Sequence, residues 1–374
     1  MNLPPAVRLA ALLALLSARH TAEAAEPLPR ATPEEVGVSS AQLLEFVDAL
    51  DTRIVSVHSV MVLRRGKVIA EGWWEPHDAQ TPHVMWSVSK SFTSAAVGLA
   101  VEEGRLSLSD PVLKFFPDEA PADPSPNLKA MTVRDLLTMT CGHDREPPLG
   151  RGRGWVRSFL RHPVPHEPGT HFVYNSMGSF MLSAIVQKVT GETLRDYLVP
   201  RLFEPLGIDT PRWDTNPDGI CVGGWGLFLK TEDMARFGQL LLRRGDWNGR
   251  QVLPRGYVEA ATSKQVDNAR GWIAMNPDWS AGYGYQFWMA RHNAFRGDGL
   301  FGQYIVVVPD EELVVALTSR TMQMPAEVSL IWEELLPALH EDPLTANPDA
   351  ADRLSERLST LKDPAVGREV EPAQ

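Results

Sequence analysis

Ser87 and Lys90 form a Ser-x-x-Lys motif that could supply a nucleophile and its base. Residues three positions apart on a helix lie on the same face, so a helix beginning at Ser87 would bring the hydroxyl and the amine together. A serine hydroxyl is a weak nucleophile and needs a nearby base. Lys90 can be that base only when neutral, which requires burial or a second cation to lower its pKa from about 10.4 to about 7. The motif therefore indicates acyl transfer if Lys90 is buried.

The motif alone is a weak signal, because a second copy occurs at Ser359-Thr360-Leu361-Lys362. That copy lies in a charged segment without an apolar helix, and we interpret it as surface. Ser87 by itself would also suit the ordinary first turn of a helix, where unpaired N–H groups favour polar side chains. Two further motifs favour the catalytic interpretation.

Tyr174-Asn175-Ser176 directly precedes a segment with helical spacing, so its polar groups can face a cleft. A tyrosine hydroxyl near a lysine can pass a proton as a general acid or base. The alternative is that this tyrosine only caps the start of the helix.

A glycine-rich run, Gly297-Asp298-Gly299-Leu300-Phe301-Gly302, matches the spacing of a dinucleotide-binding loop. That fingerprint needs a strand before it and a helix after it. Residues 303–308 are instead apolar and β-branched, which predicts a strand. We therefore reject the nucleotide interpretation and expect the glycines to let a substrate backbone approach closely.

Apolar periodicity changes from strand-like to helical and back along the chain. β-rich runs flank the Arg65-Gly66 turn signal and residues 309–312, which predicts one hairpin early and one late in the chain. Helical spacing dominates between them, beginning with Ser87 to Glu103. We therefore predict an α+β fold, with a central antiparallel sheet flanked by helices and an inserted mainly helical lobe.

These patterns predict one domain over residues 30–340. Its sheet part would span about 36–86 and 284–340, and its helical lobe about 87–283. Residues 341–374 are charged and contain proline, so we expect a loosely attached C-terminal tail.

The N-terminus has the pattern of a signal peptide over residues 1–24. Arg8 precedes an apolar run at 9–16, and Ala22-Glu23-Ala24 is a small-x-small cleavage pattern. The run is too short for a permanent membrane anchor. We expect a periplasmic or secreted protein; the alternative is a frayed N-terminal extension.

In an oxidising compartment Cys141 and Cys221 could form a disulfide, or they could be two buried free thiols. Spacing alone cannot decide, because a disulfide needs the two Cα atoms within about 7 Å of each other.

Composition and motif spacing exclude other function classes. The net charge of −11 and the absence of a basic cluster argue against nucleic-acid binding, which depends on neutralising phosphates. His162, His166 and His171 are separated by prolines and fit no helix-borne metal site. We expect no metal, no organic cofactor and a small-molecule substrate.

In this order, the serine-lysine motif, the tyrosine triplet and the glycine-rich strand resemble class C β-lactamases and penicillin-binding proteins. That superfamily also includes β-lactamase-like esterases and 6-aminohexanoate-dimer hydrolases. The resemblance covers roughly residues 30–340, and segments 131–140 and 223–227 also look like family segments.

The resemblance implies a β-lactamase/DD-peptidase-like fold and a role for each matching position. Ser87 would be acylated, and Lys90 and Tyr174 would transfer its proton. The backbone N–H groups of Ser87 and Leu300 would form the oxyanion hole, in which each donor is typically worth about 2.7–4 kcal/mol.

Five further positions are expected to bind substrate. Ser176 ends the tyrosine triplet, and Asp298 and Gly299 belong to the glycine-rich strand. Trp225 could wall the acyl or leaving-group pocket, and His143 could line the cleft. Aromatic packing and an ordinary loop histidine are the alternatives for these last two residues.

Two departures from the family pattern bear on the substrate. Ser176 stands where the family often has asparagine, and Gly297-Asp298-Gly299 replaces Lys-Thr-Gly. The lysine that would meet a β-lactam carboxylate is thus missing, and Asp298 has the opposite charge. We expect Arg296 to be a poor substitute if its side chain points to the other face of the strand.

The sequence therefore favours a serine hydrolase that cleaves an ester or amide bond through a Ser87 acyl-enzyme. A β-lactamase or D-Ala-D-Ala carboxypeptidase is the first alternative. A non-catalytic module that binds peptidoglycan or another ligand on the same fold is the second.

Overall fold

A computed structural model describes residues 26–149 and 152–363. The predicted signal peptide lies outside these residues. Within them, no helix combines the length and apolar character needed to cross a bilayer.

The described strands are as follows: β1 Val57–Arg64, β2 Lys67–Trp73, β3 His83–Val84, β4 Phe228–Leu229, β5 Asp246–Trp247, β6 Arg250–Gln251, β7 Trp288–Met289, β8 Phe295–Gly299, β9 Gln303–Val308 and β10 Leu313–Ser319.

The described α-helices are as follows: α1 Ser40–Arg53, α2 Ser89–Glu102, α3 Pro126–Ala130, α4 Val133–Leu137, α5 Trp155–Arg161, α6 Ser176–Thr190, α7 Leu194–Leu198, α8 Glu204–Leu206, α9 Thr231–Leu242, α10 Arg255–Ala261, α11 Pro277–Ser280, α12 Met324–Leu330 and α13 Pro348–Ser359. Short 3-10 turns include Trp86–Val88 and Gly271–Met275, and π-helical turns span Val199–Phe203 and Ile331–Leu335.

The six-stranded sheet is antiparallel and has the order β2-β1-β10-β9-β8-β7. β1 pairs directly with β10, with Val57 opposite Ser319, so the two predicted hairpins join at the middle of the sheet. The intervening chain is mainly helical. This arrangement confirms the predicted α+β fold.

Both faces of the sheet are buried, which explains its nearly continuous apolar strands. Side chains alternate across a strand, so Met61 and Leu63 join one core with helices of the lobe, whereas Val60 and Val62 join another. The second core is covered by α1, which contributes residues such as Phe46.

Helix α2 is buried nearly all round and runs through the first core. Its Phe92 stacks on Phe237 of α9, with ring centroids 4.0 Å apart. A lysine in the first turn of such a helix is forced away from water unless it faces a cleft. This environment determines the chemistry of Lys90.

The expectation of a loosely attached C-terminal tail is wrong for the part that the structure describes. Helix α13 packs on α1 and β2, and Leu354 and Leu361 are buried. Arg357 bonds the carboxylates of Asp48 and Asp51 on α1. The segment is charged on one face but apolar on the other, so it closes over the sheet edge.

Cys141 and Cys221 are free thiols, and both are buried. Burial raises the pKa of each thiol. Of the two expectations for this pair, the structure agrees with buried free thiols and not with a disulfide.

Candidate active site

Ser87 lies in a 3-10 turn directly before α2, at the edge of a cleft. The preceding residue, Trp86, has a left-handed backbone with φ of 44°, an unusual conformation for a bulky side chain. Its ring meets Phe301 edge-on, with centroids 5.5 Å apart. This sharp turn directs the hydroxyl of Ser87 towards Lys90.

Lys90 contacts Ser87 from within the protein and is only 1% exposed. Its Nζ lies 2.9 Å from Ser87 Oγ and 3.1 Å from Ser176 Oγ, and donates to the carbonyl of Gly224 at 2.7 Å. Burial lowers the pKa of Lys90 to about 7, although Glu146 and Asp298 act in the opposite direction. The neutral amine is thus accessible near pH 7.

Tyr174 completes the group from the start of α6. Its hydroxyl interacts with Ser87, and the Lys90 Nζ lies 4.9 Å from its ring centroid. Burial raises the pKa of Tyr174, so its phenol holds its proton at neutral pH. The three residues expected to be catalytic therefore lie together. A titratable amine and a protonated phenol lie next to the same serine hydroxyl.

The cap of α6 fixes the position of Tyr174. The side chain of Asn175 accepts from Gly178 N at 2.9 Å, and its amide donates to His143 Nδ1 at 3.2 Å. His143 is itself buried and meets Phe159 edge-on. The structure thus places His143 behind the cleft wall, where it orients the cap, and not within reach of a bound substrate.

Ser176 also differs from its expected role as a substrate-binding residue. Its hydroxyl accepts from Lys90, and its backbone N–H donates to Glu146 Oε1 at 2.6 Å. Glu146 was missed by the sequence analysis, because it lies in a loop without a pattern. The pair orients the lysine and places a negative charge near it.

The glycines of β8 allow the strand to approach the segment that carries the serine. A Cβ on Gly299 would lie 2.5 Å from the carbonyl oxygen of Met85, and one on Gly297 would lie 3.1 Å from Ser91 Oγ. The sequence analysis explained these glycines by the close approach of a substrate backbone. That explanation is incomplete, because the protein's own backbone already occupies the space beside Gly299. Leu300 follows in the turn after β8 and lines the cleft.

Asp298 is neutralised by Arg296. Nη2 and Nε of Arg296 lie 2.9 Å and 3.0 Å from the same Asp298 oxygen, and Nη1 donates to the carbonyl of Asp278. Arg296 shares a face of the strand with Asp298, two residues on, and lies opposite position 297, where the family has lysine. Both side chains are buried, so Arg296 is committed to Asp298 rather than to a substrate carboxylate.

The cleft at Ser87 has a volume of about 530 Å³ and mostly apolar walls. Its lining residues are Ser87, Tyr174, Met275, Asn276, Trp279, Trp288, Asp298, Leu300, Met322, Met324 and Pro325. The loop methionines and tryptophans were missed by the sequence analysis. Trp225 is not among the lining residues; it stacks on Trp155 at 6.1 Å. A larger cavity of about 670 Å³ elsewhere is lined by no serine, cysteine or lysine.

Comparison with known proteins agrees with this geometry. A family model described as Beta-lactamase matches residues 45–339. The 6-aminohexanoate-dimer hydrolase of Paenarthrobacter ureafaciens is 26% identical over 318 residues, which cover 77% of this chain and 79% of that protein. Lovastatin esterase of Penicillium rubens is 27% identical over 169 residues, or 38% and 42% of the two chains.

One solved structure illustrates the shared fold. A penicillin-binding protein homologue from Caulobacter crescentus superposes with a TM-score of 0.65 at 16% identity, over 84% of this chain and 100% of that one.

Proposed function

Because the chain belongs to the beta-lactamase family and is a hydrolase of that family, we propose that it cleaves esters and linear amides through an acyl-enzyme on Ser87. The observation that carries the proposal is the buried amine of Lys90, 2.9 Å from the Ser87 hydroxyl. A neutral lysine has a lone pair that can accept the serine proton. Its pKa of about 7 makes that form available at physiological pH.

In the first step, Ser87 Oγ attacks the carbonyl carbon while its proton passes to Lys90. Tyr174, which is protonated and interacts with Ser87, gives a proton to the departing alcohol or amine and regains one from Lys90. The backbone N–H groups of Ser87 and Leu300 would stabilise the negative oxygen of the tetrahedral intermediate.

In the second step, water replaces the leaving group. Water attacks the acyl carbonyl carbon while neutral Lys90 accepts its proton. The bond to Ser87 then breaks, Tyr174 gives a proton to Ser87 Oγ and regains one from Lys90, and the acyl group leaves as a carboxylic acid. No step requires a metal or an organic cofactor.

The cleft favours a neutral, apolar acyl group. Trp279, Trp288 and three methionines contribute apolar surface, and the carboxylate of Asp298 is paired with Arg296. No free cation lies among the lining residues to receive the carboxylate of a β-lactam or of a D-Ala-D-Ala peptide. The names of two relatives, an amide-dimer hydrolase and an esterase, support the same preference.

A fluorophosphonate probe and a substrate panel test the proposal. We expect labelling and p-nitrophenyl ester hydrolysis by the wild type, and loss of both in Ser87→Ala. Ser359→Ala is the matched control, since it removes the exposed serine of the second Ser-x-x-Lys copy. A linear amide dimer should also be cleaved, whereas nitrocefin and a D-Ala-D-Ala peptide should react slowly.

Two outcomes would contradict the proposal. Folded wild type that neither reacts with the probe nor cleaves any ester or amide would favour the ligand-binding alternative. Rapid nitrocefin hydrolysis would favour a β-lactamase and contradict the role given to Asp298.

We also propose export to the periplasm or the medium, supported by Arg8, the apolar run 9–16 and the Ala22-Glu23-Ala24 pattern. Mass spectrometry of the exported protein should give a chain that begins at Ala25. An intact N-terminus in a cytoplasmic fraction would contradict export.

A further inference from the structure

We propose that His58, His77 and His83 form a binding site for one zinc ion, separate from the catalytic group and independent of the proposed function. The three come from different places in the chain: β1, the loop after β2, and β3. One nitrogen from each ring can be chosen so that all three lie within 4.8 Å of one another. The ring centroids are 4.0–5.5 Å apart.

This spacing exceeds that of an occupied zinc site by up to about 1.5 Å. Zn–N bonds of about 2.0–2.1 Å in a tetrahedron place the nitrogens about 3.3 Å apart. Rotations of the rings would have to close this difference when the ion binds; His77 lies in the loop after β2.

An unpartnered nitrogen also points to a ligand. His83 is only 7% exposed, and its Nε2 is buried without a hydrogen-bond partner. Buried polar atoms are nearly always paired in folded proteins. A metal ion at the centre of the cluster would give this nitrogen its partner.

The protonation states suit metal binding, which needs neutral imidazole. Burial is the main cause, and the neighbouring rings add to it: the pKa of His58 is lowered to about 4 and that of His83 to about 3. The pKa of His77 is also lowered, mainly by burial. Burial thus disfavours the charged form of each ring.

The charges around the cluster can balance an ion. The carboxylate of Asp363 interacts electrostatically with His58 and His77, and it accepts a hydrogen bond from Ser56 at 2.8 Å. Asp78 also faces His77, whereas Arg320 is a nearby cation that acts against binding. An all-nitrogen set with a carboxylate nearby suits zinc better than magnesium or calcium, which prefer oxygen ligands.

Such an ion would join β1, the loop after β2 and β3, next to the C-terminal segment. Glu75, near His77, exchanges backbone hydrogen bonds with Leu361 and Asp363. The ion would also fix His83, which begins the segment that leads to Ser87. We therefore expect zinc to raise the melting temperature.

Zinc titration of untagged protein, stripped with EDTA and dialysed, tests the site. Calorimetry and elemental analysis should give one zinc per chain, and His77→Ala should weaken binding by at least about 100-fold, since even outer-shell changes cost 10–100-fold. His340→Ala, which removes an exposed histidine elsewhere, should bind as the wild type does. Magnesium should not bind.

The controls keep the outcome clear. The zinc-free melting temperature and ester hydrolysis of His77→Ala show whether the variant is folded. If it is not, wild type loaded with Co²⁺ provides a second measurement, because a tetrahedral nitrogen site gives intense visible bands. Absence of stoichiometric binding would overturn the proposal. So would zinc binding that survives in folded His77→Ala or is lost in His166→Ala, a histidine of a separate surface pair.

Discussion

The protonation of Lys90 links the buried environment of one side chain to the reactivity of another. Its amine has three partners, and the carbonyl of Gly224 and the hydroxyl of Ser176 hold it towards Ser87. Desolvation disfavours the charged form of the amine. This effect outweighs the partners and the nearby carboxylates, which favour the charged form. The residue is therefore suited to accept a proton at neutral pH.

A pH profile tests this assignment. Because Lys90 acts when neutral, kcat/KM for a p-nitrophenyl ester should rise with pH through about 7 and level off above it. Lys90→Ala should lower kcat/KM by at least about 100-fold. A wild-type profile that is flat from pH 5 to 9 would contradict the assignment.

Tyr174→Phe separates the phenol from the amine. Loss of the hydroxyl should lower turnover by at least about 100-fold while the rise near pH 7 remains, because Lys90 still titrates. Tyr285→Phe, which changes a buried tyrosine of the core, is the matched control. Near-normal turnover in Tyr174→Phe would exclude the phenol from proton transfer.

Among the elements, the position of β8 against the turn that carries Ser87 determines whether the two N–H groups proposed as oxyanion donors, those of Ser87 and Leu300, can converge. Gly297 and Gly299 permit the contact because no side chain separates the strand from Met85 and Ser91. A methyl group at position 299 would move either the strand or the serine.

Gly299→Ala should therefore lower ester turnover by at least about 10-fold, since a displaced oxyanion donor costs 10²–10³ when it is lost completely. Gly256→Ala is the control, because a Cβ there meets no atom within 4 Å. Equal turnover in Gly299→Ala and wild type would show that the close approach has no catalytic role.

The elements that the sequence predicted are those whose signal is local. Both hairpins follow from alternation and turn residues, and α2 and α6 from helical spacing ended by glycine. Ser87, Lys90 and Tyr174 could be proposed as one group because their motifs are short and ordered, and the structure places them together.

The missed features depend on contacts between distant segments. The cleft walls come from loops near Met275 and Met322, where no periodicity marks a role. The histidine cluster joins three separate segments, and α13 was missed because its apolar face is visible only against α1. The ion pair between Arg296 and Asp298 was not predicted, although their two-residue spacing places both side chains on one face of the strand.

For the whole molecule, the pH dependence of the free energy of unfolding should reflect the buried carboxyl group of Glu327. Glu327 is fully buried below the β8–β9 turn, and Ser319 donates to one of its oxygens. Burial raises the pKa of Glu327 to about 9. The folded chain thus holds a proton that the unfolded chain loses at about pH 4.5.

Unfolding therefore releases this proton between about pH 4.5 and 9, and Glu327 makes the free energy of unfolding fall as pH rises across that window. Glu327→Gln removes the effect. Relative to wild type, we expect it to gain about 1 kcal/mol or more between pH 5 and pH 9 in urea denaturation. Parallel stability profiles for the two proteins would contradict a protonated Glu327.

The direct pairing of β1 with β10 has a consequence for biosynthesis. Val57 cannot pair until Ser319 has been synthesised, so the centre of the sheet is completed only when most of the chain has left the ribosome. At about 5–20 residues per second, the delay is roughly 10–50 s. During that time the early hairpin has an unsatisfied edge and uncovered apolar faces. A nascent chain that stalls before β9 would need chaperones to keep it from aggregating.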